Sequence, residues 1–229
     1  MKDIYILQIE TATPTCAVAI SKNGATISAV QGEEANMHAS HLTLFIEQVL
    51  QKAGITMADL GAIAVSMGPG SYTGLRIGVS TAKGLCYALD IPLLALNTLD
   101  AMAAGFLAQN GVDSGTVVVP MIDARRMEVY MAIYDDQGVL KTPTSAQIID
   151  ETSFVEMGQV VLFGTGADKF EGLFQAVPSV TVSTGFQNSA EYLSTLSYTK
   201  FLQQEFEDLI YFEPFYLKDF IASTPKKRI

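Results

Sequence analysis

The stretch Gly68-Pro69-Gly70-Ser71-Tyr72-Thr73-Gly74-Leu75-Arg76-Ile77-Gly78-Val79 constrains this chain more than any other. It follows the apolar run Ile63-Ala64-Val65, which suits a strand, and it opens a segment with helical spacing from Tyr72 to Leu89. Pro69 fixes φ and the glycines admit φ > 0, so a sharp strand-to-helix turn is cheap here. Ser71 is placed to cap the helix by accepting from a free N–H of its first turn. Such a turn points backbone donors outward, which suits an anion, but no Lys follows the last Gly as a Walker A loop requires. A plain tight connection explains the turn equally well. Within the helix, Gly70, Gly74, Gly78 and Ala82 recur every fourth residue and leave one stripe almost bare. An interior Gly costs roughly 0.5–1 kcal/mol against Ala, so the stripe implies another backbone close by. A second stripe, Leu75, Val79, Ala82, Leu85, Cys86 and Leu89, is apolar. One face suits the chain's own sheet; the other suits a further helix of this chain or a second protein.

Around this centre the order of elements is that of an α/β chain. Residues 4–9, 16–21 and 25–31 suit strands, with Lys22-Asn23-Gly24 as a hairpin turn. A helix is expected from about Met37 to Ala53, because Leu42, Phe45, Ile46, Val49 and Leu50 follow the i, i+3, i+4, i+7, i+8 pattern, and Gly54 stops it. Residues 92–96 suit a short strand and 98–109 a helix. Strands are then expected at 117–122, 128–134 and 160–163, and helices at 168–175 and 189–204. The aromatic tail from Phe206 is expected to pack back on the first half as an extended segment.

The pattern restarts part-way. An acid follows the first strand of each half, Glu10 and Asp123, and a turn glycine follows in each, Gly24 and Gly138, at offsets of 113 and 114 residues. Two copies of a strand, acidic turn, hairpin and helix unit predict a duplicated fold, with lobes at 1–110 and 111–229. In folds of this sort the cleft between halves holds phosphates near the acidic turns. With 229 residues, 49% of them hydrophobic and 17% charged, the chain can bury a large core. Its formal net charge of −10 disfavours non-specific binding to nucleic acid or an anionic membrane. Cys16 and Cys86 suit small core residues in a reducing compartment. No leader-like start and no run of about 18 apolar residues is present, so the expectation is a soluble, cytoplasmic protein without membrane contact.

Three segments resemble the TsaB (YeaZ) family of bacterial tRNA threonylcarbamoyladenosine biosynthesis proteins. They are Ile9-Glu10-Thr11-Ala12-Thr13 with Cys16-Ala17-Val18-Ala19, the glycine stretch from Gly68 to Gly78, and Ile122-Asp123-Ala124-Arg125-Arg126-Met127-Glu128-Val129-Tyr130. His38 with Leu42, and Pro214-Phe215-Tyr216-Leu217-Lys218, match more weakly. The resemblance runs over nearly the whole chain. It implies the two-lobed, ribonuclease H-like fold shared by acetate and sugar kinases, Hsp70 and actin (the ASKHA superfamily). It implies a non-catalytic scaffold that pairs with and activates a TsaD-like threonylcarbamoyltransferase, with a TsaE-like ATPase in a larger complex and a homodimer when alone. It implies tRNA contact at most indirect, no cofactor held tightly by this chain, and a place for ATP or ADP at the junction with the partner.

On that resemblance the partner interface is expected at His38, His41, Leu42, Phe45, Ile46 and Val49 on the first helix, and at Gly70, Ser71, Tyr72, Gly74, Leu75, Gly78 and Ala82 on the second. A vestigial nucleotide or phosphate site is expected at Glu10, Thr11, Asp123, Gly164 and Gly166. Glu10 stands where many superfamily members carry Asp, and its longer side chain displaces the carboxylate. Glu10 and Asp123 suit either nucleotide–metal chemistry or turns that accept backbone N–H groups. His38 and His41 lie three apart, where the catalytic relatives have a four-residue spacing plus a distant Asp. They are the only histidines, so an interface role is expected rather than a metal. Arg125 and Arg126 suit either RNA phosphate or a salt-bridging strand end, and Lys226-Lys227-Arg228 either tRNA or a free tip. Two rival readings are an independent ATPase or small-molecule kinase using Glu10, Asp123 and the glycine turn, and a metalloprotease of the glycoprotease type. Ser71 has no His or Lys in a triad-like motif.

Overall fold

The structure, a computed structural model, describes residues 3–33 and 37–218. Lys226-Lys227-Arg228 lie outside the described residues. Two five-stranded mixed sheets form the frame. The first has the order β3-β2-β1-β4-β5 and the second β10-β9-β6-β7-β8. In the first, β1 (Tyr5–Glu10) pairs antiparallel with β2 (Cys16–Lys22) and parallel with β4 (Leu60–Gly68). β3 (Ala25–Gly32) lies antiparallel beyond β2, and β5 (Leu93–Asn97) parallel beyond β4. In the second, β6 (Val117–Asp123) takes the place of β1, with β7 (Glu128–Tyr134) antiparallel on one side and β9 (Val160–Phe163) parallel on the other. β8 (Leu140–Ile148) and β10 (Val180–Ser183) complete it. Written from the β8 side, the second order repeats the first.

The first sheet is covered on both faces. Leu7, Ile9, Val18, Ile20, Ile63 and Val65 face two long helices, α1 (Met37–Ala53) and α2 (Tyr72–Leu89). The alternate residues Ile6, Ala62, Ala64, Leu94 and Leu96 face the other way, onto α3 (Thr98–Asn110) and α5 (Ser194–Gln203). Contact with this face begins at Ala190 and Leu193, ahead of residue 206 where the return to the first lobe was expected. Gln8 ties the junction, donating to Ser21 Oγ at 2.6 Å and to Ser197 Oγ at 3.2 Å. The tail then runs along the β5 edge. Glu207 N donates to Leu93 O at 2.9 Å, and Phe215 N to Met67 O at 2.7 Å. α3 is apolar nearly all round because it serves both sheets: Ala101 joins the first core, while Leu99, Met102, Ala103 and Phe106 pack on Val118, Ile122 and Phe163 of the second.

The expected repeat holds for the strand, the acidic turn and the hairpin, and fails at the helix. Where the first half has α1 after β3, the second has only a turn around Asp150 after β8, whose Oδ1 accepts from Thr152 N and Ser153 N, each at 3.0 Å. Where the first half has the 18-residue α2, the second has a 3-10 turn and the four-residue α4 (Glu171–Phe174). The expected helix at 168–175 is therefore two short turns, and that at 189–204 is a 3-10 turn followed by α5. The hairpin turn at Gly138 implies the strand that is β8 but not its range, because β8 alternates weakly and contains Pro143, which an edge strand tolerates; β10 was not anticipated.

Candidate functional site

The glycine stretch folds as a strand, turn and capped helix. Ser71 has extended φ/ψ, and its Oγ accepts from Gly74 N at 3.3 Å. What the bare stripe meets differs from expectation. A side chain on Gly70 would overlap the Ala12 carbonyl, one on Gly74 the Thr11 carbonyl, and one on Gly78 the Thr11 hydroxyl. Ser71 N donates to Ala12 O at 2.7 Å. The stripe is thus filled by the chain's own β1–β2 turn, and part of the turn's donor set is already spent on a carbonyl. Gly74, Leu75, Gly78 and Ala82 are buried in the chain itself and cannot form a partner surface. The same correction applies to α1, where Leu42, Phe45, Ile46 and Val49 are 8% exposed or less in the first core. The periodicity that located these helices marked their inward faces.

The outward faces carry a different set. On α2, Thr73, Ser80, Gly84, Tyr87 and Ala88 are exposed, and on α1 Leu44 is. Tyr87 is 84% exposed. Gly84 stands in the helix interior with open space where its Cβ would be. Of the expected interface residues, Ser71 is exposed and Tyr72, His38 and His41 are half-buried. His38 Nε2 donates to Thr15 O at 3.2 Å, and the His41 ring lies 5.8 Å from Phe45. No group of three or more His, Cys, Asp or Glu side chains among the described residues is placed to hold a metal ion.

The two acidic turns have separate fates. Glu10 is fully buried; its Oε1 accepts from Ala12 N at 2.6 Å and its Oε2 from Ser66 Oγ. Burial pushes its carboxyl up to about 7, against the opposing pull of the Ser66 hydroxyl and the Ala12 N–H. Asp123 is exposed, accepts from Arg125 N at 3.1 Å and pairs with Lys169 Nζ at 2.5 Å. A cleft of about 220 Å³ opens between the β1–β2 turn and the loops after β9 and β10, lined by Thr13, Thr15, Glu33, Thr165 and Asp168 among others. Neither Glu10 nor Asp123 lines it. Glu33 spans it, accepting from Thr15 Oγ1 at 2.7 Å and from Gln187 Nε2 at 3.2 Å. Gly164 and Gly166 pack against the Met121 and Ile122 backbone instead of framing open space. The expected nucleotide set does not converge. The residues present do not fit a nucleotide's phosphates: the first carboxylate is sealed inside, the lining carries two acids and no Lys or Arg, and the Thr11 and Ala12 carbonyls occupy the glycine turn.

Comparison with known proteins agrees with this frame. A family model described as TsaD, tRNA N6-adenosine threonylcarbamoyltransferase, matches residues 30–225. The tRNA threonylcarbamoyladenosine biosynthesis protein TsaB of Escherichia coli is 30% identical, over 95% of this chain and 96% of its own length. The chain belongs to the TsaB (YeaZ) family. The solved structure of YeaZ from Pseudomonas aeruginosa superposes with a TM-score of 0.74 at 28% identity, covering 95% of this chain and all of that one. A 2-hydroxyisocaproyl-CoA dehydratase activator from Clostridium difficile, solved with ADPNP, matches at TM-score 0.51 and 11% identity, over 90% of this chain and 99% of that one. It shows the shared actin-like ASKHA fold alone. Among the described residues no helix is long and apolar enough to cross a membrane.

Proposed function

We propose that this TsaB-family chain is a non-catalytic, cytoplasmic scaffold of tRNA threonylcarbamoyladenosine synthesis, pairing with and activating a TsaD-like threonylcarbamoyltransferase through the outward faces of α1 and α2. Gly84 carries the reading. A mid-helix glycine costs about 0.5–1 kcal/mol against Ala, and Gly74 and Gly78 offset that cost by close contact within the chain. Gly84 touches nothing within the chain, and the 84%-exposed Tyr87 stands beside it. Together they suit a second helix packed close, with the ring as an anchor. The nucleotide expected in the assembly then belongs at the partner junction and not in this chain's own cleft. Alone, the chain covers the same face by forming a homodimer; a TsaE-like ATPase joins the larger complex.

The test mixes the chain with the TsaD-like protein of the same cell, with and without ATP, and reads mass by light scattering after size exclusion. A heterodimer replacing the homodimer is expected. Gly84→Leu should abolish pairing while leaving the urea midpoint equal or higher, since the substitution removes a helix-interior glycine. Pairing of Gly84→Leu at wild-type affinity would sink this surface. ATP binding by the chain alone in calorimetry, with no complex under any condition, would favour the kinase-like rival.

A further inference from the structure

We propose that a band of basic and aromatic side chains, running from the start of α2 across the tail to the β6–β7 turn, contacts the phosphodiester backbone of an RNA loop. This deepens the scaffold reading and rests on it, because it makes tRNA a direct ligand of this chain within the pair. The band is continuous through side-chain and main-chain contacts. Arg76 lies 4.2 Å over the Tyr72 ring, the Tyr72 and Tyr216 rings are 5.0 Å apart, and Arg76 Nε donates to Tyr216 Oη at 3.4 Å. Two residues on, Lys218 lies 5.9 Å over the Tyr130 ring and pairs with Glu128. Lys169 donates to Glu128 O at 2.8 Å and pairs with Asp123, whose Oδ1 also accepts from Arg125 N.

Arg125 and Arg126 form the tip. Both are exposed, and neither makes a salt bridge to a described residue. Both hold positive φ, 75° and 55°, which a non-glycine residue rarely adopts. The backbone thus projects two adjacent guanidinium groups outward at an energetic cost, and guanidinium is the side chain best matched to phosphate. Five of the chain's 14 Lys and Arg lie in the band; Lys169 and Lys218 are paired with Asp123 and Glu128, so its positive character rests on Arg76, Arg125 and Arg126. In a protein of net charge −10 this is a local excess of positive charge. The relatives act in the modification of tRNA, which supplies RNA as the available polyanion.

The probe is a fluorescein-labelled, unmodified tRNA transcript, titrated by anisotropy with the preformed pair from about 50 to 200 mM salt. The double variant R125Q/R126Q should weaken binding about tenfold at the low-salt end and lower the slope of log K against log salt by about 1.4, or 0.7 per lost phosphate contact. K22Q/K141Q removes the same charge away from the band and should change neither. Equal effects of the two doubles, or no effect of R125Q/R126Q, would overturn the proposal. So would loss of pairing by R125Q/R126Q in light scattering, which would assign the tip to a protein partner. If the wild-type chains do not pair at all, it is the scaffold reading that fails. The chain alone is then titrated, and its own response to R125Q/R126Q decides the band.

Discussion

The two lobes share a strand order and differ in what covers it. The first sheet is wrapped by α1 and α2 on one face and by α3 and α5 on the other. The second shares α3, and its remaining face carries only short turns and the four-residue α4. In the first lobe the long helices leave an outward face with unexplained features, Gly84 and Tyr87. In the second, the loop that matches the acidic turn of the first has become an exposed basic tip. A duplicated frame thus supports two kinds of surface, because the sheet supplies rigidity and the connections are free to diverge.

The lobes are topologically separate but joined through α3, and Phe163→Ala tests the joint. Phe163 is fully buried in the second sheet and stacks on Phe106 of α3 at 4.1 Å. Its loss should cost about 3–5 kcal/mol. Because α3 belongs to both cores, urea unfolding followed by far-UV and near-UV signals should still show one transition. Two separated transitions would show that the lobes melt independently.

Next in size is the contrast between two glycines of one helix. Gly78→Leu pushes a branched side chain onto the Thr11 hydroxyl and should cost at least about 1–3 kcal/mol in urea unfolding, the range for overpacking. Gly84→Leu, used above to break pairing, should cost nothing in the monomer. Equal destabilisation by both would erase the distinction between inward and outward stripes.

The smallest effect sharpens the difference between the acidic turns. The Glu10 carboxyl titrates near 7 when folded and near its ordinary 4.5 when unfolded. Between those values the folded state holds the extra proton, so this group's contribution falls as pH rises from about 4.5 to about 7 and is level above that. Glu10→Gln keeps the shape and removes the charge. It should flatten that slope and raise stability at pH 8 by about 1–3 kcal/mol, read from urea midpoints across pH. An unchanged slope would mean that Glu10 is not the group responsible.

Much of the first lobe was legible because its signals are local. The Ser71 cap and the apolar spacing set α2 at Tyr72–Leu89, and the same spacing set α1 at Met37–Ala53. Periodicity reports which face of a helix is apolar, and such a face is by default the one its own sheet covers. Leu42, Phe45, Ile46 and Val49 were therefore legible as core, and reading them as an interface ran against the signal. The glycine stripe demanded a close backbone but could not name it; Thr11 and Ala12 meet it through a contact some 60 residues away in sequence. A helical Gly and Tyr off the apolar stripe, Gly84 and Tyr87, were the available signal for the outward face. The range of β8, and β10 altogether, escaped because edge strands alternate weakly, and the basic band because it joins Arg76, Arg125, Lys169 and Lys218 only through tertiary contacts.

The place of α5 bears on how the chain is made. The far face of the first sheet, with Ile6, Ala62, Leu94 and Leu96, is closed by residues 190–201, which come after the whole second sheet in the chain. At about 5–20 residues per second, the roughly 100 residues between β5 and α5 take some 5–20 s to emerge from a ribosome. Through that interval α3 covers part of this face, and the apolar remainder that α5 closes is left for a chaperone or the second lobe to shield. A messenger cut short before codon 190 would therefore yield a first lobe whose far face is only partly covered.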